Sequence, residues 1–192
     1  MSDKKNGHVH HGKSTRGILD ADRVVKTLGL KSGDKFLDAG SGDGYISFAA
    51  SSVVGDEGKV YALDVYPESI DAVKKEVQER GVENLEAIIA DLTGEIPLSD
   101  NSIDLCLMAN VLHGFVENQE TEEVMKEMIR VVKPGGILAI VEFKKEEIPG
   151  PPMEVRLAPE EVAEILDRYN FRLVSSEEVG DFHYMVKGEM RN

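Results

Sequence analysis

The stretch Phe36-Leu37-Asp38-Ala39-Gly40-Ser41-Gly42-Asp43-Gly44 constrains the fold of this chain more than any other. Phe36 and Leu37 end a short apolar run that follows the turn signal Lys31-Ser32-Gly33-Asp34, and Tyr45-Ile46-Ser47-Phe48-Ala49-Ala50 opens a helical pattern. The order is therefore strand, glycine loop, helix. Gly40, Gly42 and Gly44 carry no Cβ, so the main chain can turn tightly and a ligand can approach it at van der Waals distance. A dinucleotide could use such a loop. The spacing, however, is G-x-G-x-G rather than G-x-G-x-x-G, and Asp43 puts a carboxylate near the helix N-terminus, where a pyrophosphate would otherwise sit.

The rest of the chain alternates. Upstream, Asp20 reads as an N-cap, Val24, Val25 and Leu28 lie at helical spacing, and Gly29 ends the run. Downstream, Lys59 to Val65 reads as a buried strand and Pro67 to Arg80 as a helix stopped by Gly81. Leu85 to Ala90 and Ile103 to Val111 are strand-like, Glu120 to Val132 is helical, and Gly136 to Phe143 is an apolar strand after the turn Lys133-Pro134-Gly135-Gly136. Strands alternating with helices imply an α/β fold with a parallel sheet covered on both faces. After Phe143 come a proline-rich link at Ile148-Pro149-Gly150-Pro151-Pro152, a helix from Pro159 to Tyr169, and strands over Phe171 to Val179 and Phe182 to Lys187. Gly180-Asp181 between those strands reads as a hairpin.

A length of 192 residues suits one domain with a sizeable core, with residues 1–17 read as a flexible, histidine-bearing arm and 18–192 as the domain. The formal net charge of -14 argues against a nucleic-acid backbone or an anionic membrane as partner, because both need a basic surface. The single cysteine, Cys106, lies within an apolar strand and reads as core packing. No apolar run approaches the roughly 20 residues that span a bilayer, and the N-terminus has no apolar signal region, so a cytoplasmic location is expected.

The acids around the glycine loop indicate its ligand. S-adenosylmethionine carries a sulfonium and an ammonium and no phosphate, so Asp38 and Asp43 suit it electrostatically. FLDAGSGDG at 36–44, YALDV at 61–65, IIADL at 88–92, DLCLMANVLH at 104–113 and VVKPGGILAIVEF at 131–143 occur in this order at domain-like spacing. With them, residues 18–190 resemble the class I S-adenosylmethionine-dependent methyltransferases. The resemblance implies a Rossmann-like, doubly wound seven-stranded sheet of order 3-2-1-4-5-7-6 with an antiparallel final strand. It implies that Asp38, Gly40, Ser41, Gly42 and Gly44 hold the methionine end of the cofactor. Asp64, with Val65 beside it, would bind the ribose hydroxyls, and a carboxylate with two acceptor oxygens suits a vicinal diol. Asp91 would accept from the adenine amine with Leu92 beside the ring, and Asn110 would line the cofactor. His113 would point toward the acceptor pocket as a catalytic or substrate-contacting group, with a pKa range suited to a base.

Two absences narrow the acceptor. No Asn-Pro-Pro-aromatic or Asp-Pro-Pro-aromatic run follows the fourth strand, which disfavours methylation of nucleic-acid bases. Cys106 alone supports neither thiolate-assisted base methylation nor a multi-cysteine arsenite site. The sequence is most similar to the small-molecule, quinone-biosynthesis-like branch, with a small-molecule acceptor, no membrane partner and a homodimer compatible with the sequence. The loop from Lys144 to Ala158 reads as a lid from which Met153 and Arg156 would meet an apolar or anionic acceptor. A non-catalytic, cofactor-binding regulatory protein is the alternative. The run Gly7-His8-Val9-His10-His11-Gly12-Lys13-Ser14 matches a phosphate loop, but only the polar hexapeptide Met1–Asn6 precedes it where a buried strand is required. His8, His10 and His11 are better read as solvated than as metal ligands, and no metal is assigned. Lys13, Ser14 or Arg16 would instead touch the cofactor carboxylate as the arm closes.

Overall fold

The computed structural model describes residues 14–192. Helix α1 (Ala21–Leu28) begins where the Asp20 carboxylate accepts from the Arg23 amide at 3.1 Å, and it ends at Gly29 in the left-handed region. There follow β1 (Lys35–Ala39), α2 (Tyr45–Val54), β2 (Lys59–Asp64), α3 (Pro67–Arg80), β3 (Leu85–Ile89) and β4 (Ile103–Ala109). Then come α4 (Leu112–Asn118), α5 (Thr121–Val131), β5 (Val132–Phe143), a 3-10 turn at Met153–Val155, α6 (Pro159–Arg168), β6 (Phe171–Glu178) and β7 (His183–Met190).

The strands form one seven-stranded sheet of order β3-β2-β1-β4-β5-β7-β6. Strands β1 to β5 pair in parallel, while β7 runs antiparallel to both β5 and β6. Successive residues of a strand face opposite sides, and each side has its own core. Leu37, Cys106 and Met108 pack with Met125 and Met128 of α5 and Leu166 of α6. Phe36, Leu105 and Leu107 pack with Val24 of α1, Phe48 of α2 and Val73 of α3. Full burial of each large aliphatic or aromatic side chain contributes about 1.5–3 kcal/mol, so the central strands anchor both layers. Cys106 is fully buried, which pushes its thiol far above the ordinary range, in keeping with a packing role.

Three local features differ from the sequence expectation. Strand β4 stops at Ala109 rather than Val111, because Asn110 turns left-handed with φ 59°. Strand β5 begins at Val132, so the Lys133–Gly136 turn lies within it, beside a register shift against β4 between Ile103 and Leu105. Helix α4 was not expected at all: it is seven residues long, contains Gly114, and has no side-chain cap of its own. Its first turn is held instead by Glu142 of β5, whose carboxylate accepts from the His113 amide at 3.0 Å.

Candidate active site at the carboxyl edge of the sheet

The glycine loop between β1 and α2 is tied to its neighbour by its own amides. Gly40 and Ser41 donate to the Leu63 carbonyl at 2.7 and 2.9 Å, and Gly42 donates to Asp64 Oδ2 at 2.8 Å. Asp64 Oδ1 accepts from the Tyr66 amide at 2.9 Å, so both carboxylate oxygens are aimed by main chain. Each oxygen keeps a lone pair for a ligand. A Cβ on Gly40 would lie 2.6 Å from a Val111 methyl, and one on Gly44 would lie 2.9 Å from a Val73 methyl. The loop glycines therefore admit the β4–α4 junction and α3 to the loop, a requirement that the sequence pattern alone does not show.

The acids are placed differently from the simple electrostatic picture. Asp38 is buried beneath the loop, accepts from the Ser47 hydroxyl at 2.6 Å, and has its carboxyl pushed up to about 7, first by burial and further by Asp64. Asp43 faces the other way: its Oδ2 accepts from Arg16 Nε at 2.9 Å, and Oδ1 from the Tyr45 amide at 3.3 Å. Asp43 thus joins the segment before α1 to the loop, and Asp64 is the carboxylate at the strand end. Asp91 is exposed after β3, with Oδ1 accepting from the Thr93 amide and hydroxyl at 2.9 and 2.8 Å. Leu92 is buried, whereas Val65, directly after Asp64, leaves an apolar side chain 49% exposed at this edge. Among the described residues, Ser41 Oγ and Asn110 Oδ1 are buried without a hydrogen-bond partner.

His113 stands in the first turn of α4. Its ring Nδ1 lies 2.7 Å from Glu142 Oε2, its own amide reaches Oε1, and both side chains are buried. Glu142 was missed in the sequence because it sits in an otherwise apolar run, Gly136 to Phe143; that lone acid was the available signal. The neighbouring Asn110 amide donates to the Val141 carbonyl at 2.8 Å, which brings the β4 and β5 ends together.

The lid expectation needs one correction. Arg156 is buried, and its guanidinium donates to the carbonyls of Lys144, Glu146, Ile148 and Pro151 at 2.8–3.0 Å. It also stacks on Phe143, so it organises the 144–158 segment rather than presenting a charge to an anionic acceptor. Met153 is half-buried in the 3-10 turn that rests against α4. His183 pairs with Phe143 across β5 and β7, with ring centroids 4.1 Å apart. It is wholly buried, and burial, assisted by Lys144, pushes its pKa down to about 4. Two surface hollows, about 260 Å³ beside Arg16, Tyr45 and Arg80 and about 360 Å³ beside Lys144, Glu178 and Tyr184, do not contain the Asp64–Asn110 groups. The polar atoms at the strand ends, rather than the size of a hollow, locate the site. His8, His10, His11 and Lys13 lie outside the described residues.

A sheet of this order with its polar atoms gathered at one edge defines a Rossmann-like nucleoside-binding fold. A family model described as a methyltransferase domain matches residues 30–186. The structure of a SAM-dependent methyltransferase from Aquifex aeolicus superposes with a TM-score of 0.83 at 34% identity, over 93% of this chain and 94% of that one. The [4+2]-cyclase SpnF superposes with a TM-score of 0.74 at 18% identity, which shows the fold alone. The ubiquinone/menaquinone biosynthesis C-methyltransferase UbiE of Ectopseudomonas mendocina is 28% identical over 77% of this chain and 52% of its own length. That of Pseudomonas putida strain GB-1 is 32% identical over 64% of this chain and 46% of its own length. The chain thus spans about half the length of these curated relatives. It belongs to the methyltransferase-domain family, in the class I S-adenosylmethionine-dependent group. The residues fit that cofactor: the orphaned Ser41 Oγ and Asn110 Oδ1 offer polar partners, and Asp64 keeps acceptor capacity for a diol.

Proposed function

We propose that this protein transfers the methyl group of S-adenosylmethionine to a small-molecule acceptor. One observation carries the reading: Asp64, aimed by the Gly42 and Tyr66 amides, shares the sheet edge with the unpartnered Ser41 Oγ and Asn110 Oδ1. Asp64 holds the ribose hydroxyls, Val65 and Leu92 flank the adenine, and Asp91 accepts from its amine. The Gly40–Gly44 main chain and Ser41 hold the methionine end, with Asp38 beneath the loop as a charge that strengthens when a cation arrives. Asn110 faces the reacting end. The bound cofactor supplies a sulfonium methyl, already a strong electrophile. The chain then has to hold the acceptor in line and exclude water; such orientation supplies effective molarities of about 10⁵ to 10⁸ M in well-aligned intramolecular cases. The lid with Met153, resting against α4, forms the acceptor side. The UbiE relatives point to a quinol-like aromatic as the first acceptor class to try.

Calorimetry tests the cofactor assignment. Asp64→Ala should weaken S-adenosylmethionine binding by about 10- to 100-fold, the loss of hydrogen bonds to a charged acceptor. Absence of binding to the unaltered protein, or no loss in the variant, would refute it. A screen for S-adenosylhomocysteine release across quinols, phenols, amines and thiols tests transfer. Tight binding with no release from any acceptor would instead favour a regulatory, cofactor-binding protein.

A further inference from the structure

We propose that the outer edge of β6 is an interface with a second copy of this chain, the two strands pairing antiparallel about a two-fold axis between Val174 and Ser175. The proposal goes beyond the methyl-transfer reading and does not depend on it.

Strand β6 closes one end of the sheet order, and among the described residues it pairs with no strand but β7. Its outer side therefore carries main-chain donors and acceptors that a further strand can use. The strand is eight residues long and holds two neighbouring apolar side chains in solvent, Leu173 at 48% and Val174 at 50% exposed. Covering them removes apolar surface from water.

What selects a second copy over another strand is the order of charges. The register of β6 on β7 shifts between Leu173 and Ser175, which leaves Val174 as an extra residue. Arg172, Ser175 and Glu177 lie opposite Glu189, Lys187 and Met185 and so share one face. Leu173, Ser176 and Glu178 lie opposite Gly188, Val186 and Tyr184 and share the other. In a strand without the extra residue, positions 172 and 177 would face opposite sides. With it, antiparallel self-pairing about the 174–175 midpoint sets Arg172 opposite Glu177 of the second copy and Leu173 opposite Ser176, each pair on one face. The two-fold axis repeats both pairs. A slip of one residue would set opposite faces against each other, so the bulge and the charges specify the same register.

The charged groups are available for this pairing. Arg172 uses Nη2 on Glu189 Oε1 at 2.7 Å, and Glu177 uses Oε1 on Lys187 Nζ at 3.4 Å and on the Ser175 hydroxyl at 3.2 Å. Among the described residues, Arg172 Nε and Nη1 and Glu177 Oε2 have no partner, on side chains 63% and 46% exposed. The guanidinium fork and the carboxylate oxygen can meet across the axis with the intrachain pairs intact. Because β7 is antiparallel to both β5 and β6, β6 runs in the direction of the parallel strands. Antiparallel pairing of β6 with its copy then places the two strand-end sites on opposite sides of the joined sheet. A contact built on one strand is smaller than a standard stable interface, so the dimer forms at high protein concentration.

Sedimentation of the full chain at about 10 to 500 µM in about 0.15 M salt, where charges more than about 8 Å apart are screened, tests the interface. The unaltered protein should pass from monomer to dimer across that range. Arg172→Glu alone and Glu177→Arg alone set like charges opposite each other, and each should weaken self-association about 10-fold or more. Mixed in equal amounts, the two variants restore both opposite-charge pairs and should associate with each other as the unaltered chain does with itself. That rescue also shows that neither variant is misfolded. In hydrogen exchange on the unaltered protein, the outward amides of residues 171–178 should slow as its concentration rises. A protein that stays monomeric throughout, leaving the edge to some other partner, would overturn the proposal. Single variants that dimerise unimpaired, or a mixture that forms no heterodimer, would overturn it equally.

Discussion

Asp38 and His183 illustrate how burial at two single positions sets opposite responses to pH. The Asp38 carboxyl is raised from 3.8 to about 7, so its contribution to stability is present below pH 4 and is lost as pH rises through 7. The His183 imidazole is lowered from 6.5 to about 4, so its contribution is present above pH 6.5 and is lost as pH falls toward 4. Between these limits the two oppose each other. Asp38→Asn should therefore match the unaltered protein near pH 4 and exceed it by a margin that grows between pH 4 and pH 7 and then levels off, reaching up to about 4 kcal/mol if Ser47 keeps its hydrogen bond. His183→Phe should do the reverse, its gain growing as pH falls from 6.5 to about 4 and reaching about 3 kcal/mol, because it removes an imidazole that takes up a proton more readily once unfolded. Urea unfolding over a pH series reads both slopes. Neither position announces this in the sequence: Asp38 resembles any motif acid, and His183 resembles any strand histidine.

At the scale of elements, the glycine loop is shaped by its packing against Val111 and Val73. Gly40→Ala combines a left-handed φ of 84° with a Cβ placed 2.6 Å from Val111, and should cost about 2 kcal/mol or more as well as weakening cofactor binding. Adding Val111→Ala should relieve the contact and leave only the backbone strain, which a double-mutant cycle on thermal unfolding would show as positive coupling. The elements with strong local signals agree with the sequence reading. Helix α3 starts at Pro67 and ends before Gly81 because a fixed φ and a left-handed residue are local properties. Helix α4 was illegible for the converse reason: its first turn depends on a carboxylate 29 residues away along the chain. Arg156 belongs to the same class. A guanidinium in a proline-rich loop suggests an anion site, whereas the fold turns four carbonyls onto it.

For the whole molecule, the cofactor should act as a structural ligand of the sheet edge. At a concentration 100-fold above its dissociation constant, S-adenosylhomocysteine should stabilise the protein by about 2.7 kcal/mol and raise the unfolding temperature by about 5–10 °C. Differential scanning calorimetry with adenosine as a weaker comparison checks this, and Asp64→Ala should abolish most of the shift. The order of the sheet was legible because five motif segments recur in sequence at the spacing of a known family, and the antiparallel end was marked by Gly180-Asp181. The packing of the 144–158 segment was less legible, since its 3-10 turn meets α4 only through long-range contacts.

The sequence by itself determined the alternation of elements, the glycine turn at the first strand end and the acids at 38, 64 and 91, because strand burial, helix caps and glycine dihedrals act over a few neighbouring residues. Only the tertiary structure decided which acids face the strand-end site. It buried Asp38 under the loop, gave Asp43 to Arg16, aimed Asp64 through two main-chain amides, and paired His113 with Glu142. Those outcomes depend on which strands lie side by side, since β4 and β5 become neighbours only after α4 and α5 have folded back across the sheet.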